Sequence, residues 1–380
     1  MKTLVLGGYG NFGARICRAL AGDSRIDLLI AGRDLRRAET LAAVIGGNSC
    51  GVAIDLDSVD FSAELQRLGV ELLIHTAGPF QRQDYRVAEA AAASGAHYLD
   101  LSDGRRFVCD FPVALDTAFR AAGRTAVCGA STVPALSSAV VEHLAAGWQR
   151  IDAIDICIAP AQTAPRGRAT LAGVLSYCGE PVQTWTGGAW RTLRGWSGLE
   201  RIDFARLRPR LGAPCDIPDI EIFPARYRVT QRVMFRAALE VGLAQRVFAL
   251  LACLRAARLL PRLTLFAGLL NATAQALDFM GTALGGMVVR VEGIDAGGRP
   301  ARRAWHIAAD DDHGPEIPCM AAILLARHLA HEPAALSAGA FTAAGLLKLD
   351  DFVPEFARWG MVTDSFDEPL HGAAPREKKS

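Results

Sequence analysis

The stretch KTLVLGGYGNFG, residues 2–13, decides the fold of this chain. Its first five residues have the apolar character of a short buried strand, and a helical pattern begins directly after the last glycine. Gly8, Gly10 and Gly13 have the G-x-G-x-x-G spacing, which permits a tight turn, close approach of the backbone to a pyrophosphate and close helix–strand packing. The free N–H groups of the following helix then face the phosphates. The stretch predicts a dinucleotide-binding unit and not a signal peptide, whose apolar core would not contain three glycines.

The overall composition is that of a folded protein without a strong electrostatic preference. Of the 380 residues, 51% are hydrophobic and 21% are charged, and the formal net charge is +1. A charge this close to zero gives no general attraction to nucleic acid or to an anionic membrane, and a small-molecule substrate is the expected partner. The nine cysteines include no C-x-x-C pair, which favours reduced cytoplasmic thiols over a disulfide framework or a metal site.

The second predicted strand, residues 26–31, leads into the segment that selects the dinucleotide. A site selective for NAD carries Asp or Glu about 20 residues beyond the glycines, where the carboxylate binds the ribose 2′-hydroxyl. Gly32 stands there instead, followed by Arg33, Asp34 and, one turn later, Arg37. Because a guanidinium group suits a 2′-phosphate, NADP is the expected cofactor. Arg37 is equally well explained as the solvated start of a helix.

Strands and helices alternate through the first domain, which is expected to span residues 1–135. This alternation is typical of a doubly wound parallel α/β sheet, the Rossmann arrangement. The third strand ends at Asp55 and Leu56, where such a sheet usually meets the adenine. The fourth strand, residues 70–75, is followed by small residues and a proline, which leave room for a ligand at the switch point of the sheet. This segment consists of Thr76, Ala77, Gly78, Pro79 and Phe80.

The pattern changes after residue 135, and residues 136–334 are expected to form a second, mixed α/β domain for substrate binding and dimerisation. Two apolar stretches, residues 231–260 and 265–277, predict long helices of a buried or dimeric core, with peripheral membrane contact as an alternative. Neither contains the roughly 18 uninterrupted apolar residues that a membrane-spanning helix requires. Residues 335–365 are expected to pack back on the first domain, and the polar tail 371–380 is expected to be disordered.

Asp310, Asp311, Asp312 and His313 form a cluster that invites interpretation as a metal site. Consecutive side chains of an extended segment alternate in direction and do not converge on one ion, so a polar turn is predicted and no metal is expected. The predicted helix at residues 315–330 offers an N-terminus suited to a substrate carboxylate.

Five segments together resemble the saccharopine dehydrogenase-like oxidoreductases. In chain order between residues 7 and 139, they are GGYGNFG, AGRD, HTAGPF, SGAHYLDLSD and GASTVPALSSA. The resemblance implies an NADP-binding Rossmann domain joined to a mixed α/β domain that closes the substrate site and often dimerises. It also implies hydride transfer at a carbon–nitrogen bond that joins amino-acid or polyamine units.

The resemblance and the strand pattern together assign the site residues. The glycine turn is expected to hold the pyrophosphate, Arg33 the 2′-phosphate, and residues 76–80 the nicotinamide. The expected cofactor-binding residues are Gly8, Tyr9, Gly10, Asn11, Phe12, Gly13, Arg33, Asp34, Arg37, Asp55, Leu56, Thr76, Ala77, Gly78, Pro79 and Phe80. The expected catalytic residues are His97, Asp100 and Asp103. Relatives usually read Asp-Leu-Thr-Gly-Glu after this strand, whereas here the second acid, Asp103, is displaced by one residue. His75 is interpreted as a core histidine.

These observations predict an NADP-dependent oxidoreductase that forms a homodimer and acts on an amine-linked small molecule. An enoyl-type reductase of a lipid-like substrate is an alternative, suggested by the apolar stretches. A sensor or scaffold that binds NADPH without turnover is another, suggested by the lack of an unambiguous proton donor.

Overall fold

The structure is a computed structural model that divides into two compact units. It describes residues 1–165, 175–260, 278–332 and 336–370, with the single residues 268, 272, 275 and 276. Within these limits, the first unit contains Met1–Leu136 and Pro315–Glu355. The second unit contains Ser137–Ala164, 175–314 and 356–370.

The strands and helices alternate in the first third of the chain and then become irregular. The strands of the described residues are β1 Lys2–Leu6, β2 Asp27–Gly32, β3 Ser49–Ala53, β4 Leu72–His75, β5 His97–Asp100, β6 Thr125–Cys128, β7 Arg150–Ala159, β8 Pro181–Thr186, β9 Ala189–Arg194, β10 Glu200–Ile202, β11 Arg210–Pro214, β12 Arg232–Ala237, β13 Gly285–Ile294, β14 Pro300–Ala309, β15 Gly339–Thr342 and β16 Val362–Asp367. Their α-helices are α1 Asn11–Leu20, α2 Leu35–Ile45, α3 Phe61–Leu68, α4 Arg86–Ser94, α5 Arg105–Ala121, α6 Ser137–Leu144, α7 Asp219–Arg226, α8 Gly242–Ala256, α9 Ile317–His331 and α10 Leu349–Arg358.

The first unit is built on a parallel sheet of seven strands, in the order β15-β6-β5-β4-β1-β2-β3. Strands β4, β5 and β6 are buried along their whole length, as expected where helices cover both faces of a parallel sheet. The strand order reverses at β1, whose neighbours are β2 and β4. The connections after β1 and β4 therefore diverge and leave a crevice at the carboxyl ends of these strands, where α/β sheets bind ligands. The predicted Rossmann sheet is confirmed.

The first unit also takes in a late part of the chain. Strand β15 pairs in parallel with β6, and helix α9 belongs to this unit. The prediction that residues 136–334 form one domain is therefore wrong for the segment that carries α9. Strand β16 pairs with β14 of the other unit, so the expectation that residues 335–365 pack on the first domain is wrong at its carboxyl-terminal end.

The second unit contains a mixed sheet of nine strands. Its main path runs β10-β11-β12-β7-β13-β14-β16, and β8 and β9 form a hairpin attached to β12. Strands β12 and β7 are parallel, whereas β7, β13 and β14 pair in antiparallel fashion. One cluster of its core consists of Cys157, Ala159, Ile202, Leu207, Ala238, Val288 and Ala308. The predicted mixed α/β character of this region is confirmed.

The long apolar helix predicted over residues 231–260 is wrong. Strand β12 occupies its first part, and the helix that follows, α8, has only 15 residues. The buried residues of β12, Val233, Met234 and Phe235, form an unbroken apolar run, which periodicity alone does not distinguish from a helix. The second predicted helix, residues 265–277, and the tail 371–380 lie outside the described residues. Within the described part of the chain, no helix combines the length and apolar character needed to cross a membrane.

Candidate functional site

The turn after β1 is fixed by its backbone. Gly7 has a φ of +78°, a conformation that favours glycine. The N–H groups of Gly7 and Gly8 both donate to the carbonyl of Ala31 on the neighbouring strand, at 2.9 Å. Gly10 N–H donates to the Gly7 carbonyl at 2.8 Å and forms the N-cap of α1. The turn is therefore closed before any ligand is added.

The glycines of this turn allow helix α1 to pack closely on β1, as in dinucleotide-binding turns. A Cβ atom on Gly13 would lie 2.3 Å from the Gly7 carbonyl oxygen, and one on Gly8 would lie 2.8 Å from the Val5 carbonyl oxygen. Only glycine permits this approach of helix to strand. Gly10 is exposed, so its backbone and the first N–H groups of α1, which begins with Asn11 and Phe12, face outward at the helix N-terminus. These residues fit a bound pyrophosphate.

Tyr9, Gly32 and Arg37 form a stacked arrangement at the end of β2. A Cβ atom on Gly32 would lie 2.5 Å from the Tyr9 ring, so the ring packs directly over the backbone where NAD-selective sites carry a carboxylate. The Arg37 guanidinium carbon lies 4.5 Å from the centre of the same ring, within the range of a cation–π contact. Tyr9 Oη accepts a hydrogen bond from Asp34 N–H at 3.0 Å. Arg33, next to this cluster, is exposed.

The carboxylates of Asp34 and Asp55 each accept a hydrogen bond from a backbone N–H group two or three residues further along the chain. Asp34 Oδ1 accepts a hydrogen bond from Arg37 N–H at 3.2 Å and so caps α2. Asp55 Oδ1 accepts one from Asp57 N–H at 3.1 Å after β3, and Leu56 beside it is partly exposed. Both carboxylates therefore stabilise local turns of the backbone.

The segment after β4 is held by a glutamine that the sequence analysis missed. Gln83 Nε2 donates to the carbonyl oxygens of Ala77 and Pro79, at 2.7 and 3.2 Å. Its Oε1 accepts a hydrogen bond from His75 Nε2 at 2.9 Å. Burial lowers the pKa of His75 to about 4, so this histidine is neutral at physiological pH and serves the core. The spacing of eight residues between His75 and Gln83 carries no recognisable pattern.

Two of the remaining residues hold this segment in place, and two are partly or fully exposed to solvent. Thr76 Oγ1 donates to the Leu6 carbonyl at 2.8 Å, which ties the segment to β1. Phe80 is buried, with its ring 4.9 Å from His75 and 5.5 Å from Phe107. Gly78 is partly exposed and Pro79 is exposed. The buried ring of Phe80 therefore anchors the segment to His75 and Phe107.

Asp100 is a structural carboxyl in this conformation. Its side chain is fully buried. Its Oδ1 accepts hydrogen bonds from Ser102 N–H at 2.9 Å and Gly129 N–H at 2.8 Å, joining the segments that follow β5 and β6. Burial raises the pKa of Asp100 to about 6, although these two hydrogen bonds act in the opposite direction. A carboxyl without exposed surface does not contact a substrate, so the structure is at odds with a catalytic role.

His97 lies at the wrong end of its strand. It begins β5, three residues before the carboxyl end, which corresponds to about 10 Å along a strand. Its Nδ1 accepts a hydrogen bond from Thr125 N–H at 3.0 Å, and burial together with Arg124 lowers its pKa to about 4. Ligands bind at the carboxyl ends of a parallel sheet. The structure therefore places His97 away from the edge of the sheet where ligands bind.

Asp103 is the predicted catalytic residue that remains exposed at the carboxyl edge. Its Oδ1 accepts a hydrogen bond from Gln81 Nε2 at 3.0 Å, a residue of the segment that follows β4. This contact brings the segments after β4 and β5 together at the crevice.

Helix α9 begins beside α1, with an acidic residue at its N-cap position. Glu316, at its N-cap position, is buried and forms an ion pair with Arg15 of α1. A carboxylate of the protein itself therefore stands at the start of this helix, and it pairs with Arg15 and not with the helix N–H groups. The acidic cluster forms the predicted polar turn: Asp312 accepts a hydrogen bond from Thr163, whereas His313 contacts the carbonyl of Trp359.

Comparisons with known proteins agree with this geometry. Residues 3–127 match the family model described as the saccharopine dehydrogenase NADP binding domain. A sequence search of curated proteins found no match. The fold is similar to that of saccharopine dehydrogenase (L-Glu forming) from Saccharomyces cerevisiae, with a TM-score of 0.68, 12% identity, and coverage of 97% of this chain and 100% of that one.

A second solved structure shares the fold across both units. It is the homospermidine synthase from Legionella pneumophila in complex with NAD, with a TM-score of 0.63, 10% identity, and coverage of 98% of this chain and 93% of that one. Residues 3–127 therefore match a saccharopine dehydrogenase NADP-binding domain, and the two solved structures share the fold of the chain.

Proposed function

We propose that this protein is an NADP-dependent oxidoreductase that transfers hydride at a carbon–nitrogen bond of an amino-acid-like or polyamine-like molecule. The observation that carries the proposal is the glycine turn, where a side chain on Gly13 would collide with Gly7 at 2.3 Å. The choice of substrate class is supported by the family resemblance and by the names of the two proteins that share the fold, a saccharopine dehydrogenase and a homospermidine synthase.

The preference for NADP over NAD is proposed to depend on Arg33 and Arg37. The backbone of Gly32, covered by the Tyr9 ring, leaves no carboxylate to accept a hydrogen bond from a ribose 2′-hydroxyl. Arg37 is already oriented by its contact with that ring, and Arg33 is exposed beside it. A guanidinium forms strong, charge-assisted hydrogen bonds with a phosphate.

The protein must position the carbon–nitrogen bond and move one proton, while the bound cofactor supplies or accepts the hydride. Among the titratable candidates, Asp103 is proposed for the proton because it is exposed beside the crevice. Its contact with Gln81 orients the carboxyl group. Asp100 is proposed as a positioning residue that holds the segments after β5 and β6.

Calorimetric titration with NADPH and NADH tests the cofactor assignment. We expect NADPH to bind more tightly, and Arg33→Ala to weaken NADPH binding about tenfold or more without changing NADH binding, since a charge-assisted hydrogen bond is lost. Arg18→Ala is the matched control, because Arg18 is also an exposed arginine but lies in the last turn of α1. Failure of both nucleotides to bind would remove the basis of the proposal.

The reaction is tested by measuring turnover, from the absorbance of NADPH, with amines alone and with 2-oxo acids plus amines. We expect Asp103→Asn to lower kcat by about 100-fold or more while leaving the NADPH Kd unchanged, since general acid–base catalysis contributes at least that factor. Equal kcat for both proteins would exclude Asp103 as the proton carrier.

A second candidate function is binding of NADPH without turnover. It is favoured by the burial of Asp100 and by the position of His97, which leave one exposed candidate among the three predicted catalytic residues. This function predicts tight NADPH binding and no oxidation with any amine or enone. An enoyl-type reductase predicts turnover with enones alone.

A homodimer and a cytoplasmic location complete the proposal. The family resemblance supports the homodimer. All nine cysteines are free thiols, which suits a reducing compartment. Light scattering of the purified protein measures its mass and tests the dimer directly.

A further inference from the structure

Helix α8 presents an apolar stripe to solvent. Leu243, Val247 and Leu250 are 61%, 43% and 58% exposed, and Leu254 is partly exposed. At 100° per residue these four positions fall within an arc of roughly 60° on one side of the helix. The stripe runs along most of a helix that is about 22 Å long at 1.5 Å per residue.

The opposite side of α8 is anchored to the second sheet, so the exposed stripe has a fixed orientation. Gln245 is fully buried, and its side chain accepts a hydrogen bond from Leu239 N–H at 3.0 Å and donates to the Ala237 carbonyl at 3.1 Å. Ala252, two turns further on, is also buried. The helix is therefore docked through Gln245, Ala252 and the ring of Phe248, which lies 5.1 Å from the ring of the buried Trp196, and the four residues of the stripe point away.

A second exposed apolar group adjoins the beginning of α8. Phe279 and Met280 are 84% and 52% exposed. The segment that carries them is fixed by Thr282, whose Oγ1 donates to Glu240 Oε1 at 2.7 Å, two residues before α8 begins. We call the six residues Leu243, Val247, Leu250, Leu254, Phe279 and Met280 the α8 surface. Large apolar side chains exposed in such number mark an interaction site.

The charged side chains of α8 itself are both arginines, Arg246 and Arg255, and Arg255 forms an ion pair with Glu180. Residues 241–277 contain four arginines and neither Asp nor Glu. Arg246 and Arg258 are exposed, and no carboxylate among the described residues forms an ion pair with either. Glu240 and Asp278, which border this stretch, accept hydrogen bonds from Thr282 and Gln162 and are thereby engaged.

We propose that the α8 surface docks on an anionic lipid surface. An interfacial helix inserts its apolar face at the boundary between headgroups and acyl chains, while arginines beside it contact anionic headgroups. A second copy of this chain is the weaker fit, because a two-fold dimer brings the same arginine-bearing surface against itself. The proposal is independent of the reaction that the protein catalyses.

Flotation of the full-length protein with vesicles tests the proposal. We expect binding to vesicles of equal parts phosphatidylglycerol and phosphatidylcholine, and weaker binding to phosphatidylcholine alone. Leu250→Asp is expected to reduce partitioning by about tenfold or more, since the transfer of a leucine side chain is worth at least that factor. Val113→Asp is the matched control, because Val113 is 91% exposed on helix α5 of the other unit.

A second variant separates charge from apolar insertion. Arg246→Gln combined with Arg258→Gln is expected to reduce binding to anionic vesicles by roughly fivefold per arginine, with no effect on binding to phosphatidylcholine. Wild-type protein that stays with the unbound fraction for both vesicles would overturn the proposal. So would Leu250→Asp binding like the wild type, or a Leu250→Asp variant that is monomeric where the wild type is a dimer, since a second copy would then cover the surface.

Discussion

Asp219 is a buried carboxyl whose ionisation opposes the folding of the second unit. It begins α7 with no exposed surface, and Oδ1 accepts a hydrogen bond from Ser137 Oγ. Burial raises the pKa of Asp219 to about 7. Because the folded state then holds the proton more tightly than the unfolded state, the free energy of unfolding falls as the pH rises from about 4 to about 7.

We predict that Asp219→Asn removes this loss of stability. At pH 8 the variant is expected to be more stable than the wild type by about 2–4 kcal/mol, since each unit of pKa shift corresponds to 1.36 kcal/mol. At pH 3, below both pKa values, the difference is expected to be small. Tryptophan fluorescence during urea unfolding is a suitable measurement, because all six tryptophans lie in the second unit. Asp203→Asn, at an exposed aspartate, is expected to show the same pH dependence of stability as the wild type. If Asp219→Asn also showed that pH dependence, the raised pKa of Asp219 would be contradicted.

At the residue scale, the sequence predicted the backbone shape of the glycine turn better than the surroundings of the catalytic candidates. A glycine spacing describes a local backbone shape, so Gly8, Gly10 and Gly13 were assigned from neighbours in the chain. The role of His97 depends on which end of a strand faces the ligand, and that of Asp100 depends on hydrogen bonds from the distant Gly129. Neither fact is encoded in local sequence.

The segment after β4 depends on one side chain for its shape. Gln83 contacts the carbonyl oxygens of Ala77 and Pro79 and the ring of His75. We predict that Gln83→Ala weakens NADPH binding and lowers the free energy of unfolding by about 1–3 kcal/mol, since it leaves the buried His75 Nε2 without its partner. NADPH titration and urea unfolding measured by hydrogen exchange in the first unit provide the two readouts.

The control for this element is Gln66→Ala. Gln66 is exposed, and its Nε2 makes one hydrogen bond, with the Ala93 carbonyl at 3.1 Å. We expect its removal to change both quantities little. If Gln83→Ala behaved in the same way, the segment after β4 would owe its shape to Phe80 and Thr76 instead.

At the scale of elements, alternating strands and helices were predictable and isolated apolar runs were not. The Rossmann elements repeat the same strand–helix pattern, and each supports the assignment of the next. The run containing β12 has no such repetition, and it was predicted as helix because buried strands and buried helices share the same composition. The burial of Val233 and the exposure of Leu250 separate the two elements only in the folded chain.

A late segment of the chain, Pro315–Glu355, belongs to the first unit although it follows most of the second unit in sequence. Strand β15 pairs with β6 at a separation of more than 200 residues, with Gly339 opposite Thr125. A pairing this distant is not specified by local periodicity, and this explains why the domain boundary near residue 334 was misplaced. The two units therefore have separate sheets, although the chain passes between them more than once.

Separate sheets predict separate responses to the cofactor. We expect saturating NADP⁺ to slow amide exchange in residues 7–13, 32–37 and 76–80, because a ligand at 100 times its Kd stabilises the folded state of the unit that binds it by about 2.7 kcal/mol. The urea midpoint reported by the tryptophans of the second unit is expected to remain unchanged. Arg33→Ala, with a Kd about tenfold higher, should lower this stabilisation to about 1.4 kcal/mol at the same NADP⁺ concentration while leaving that midpoint in place. A tryptophan midpoint that rises with NADP⁺ would contradict the prediction and would mean that the two units unfold as one cooperative structure.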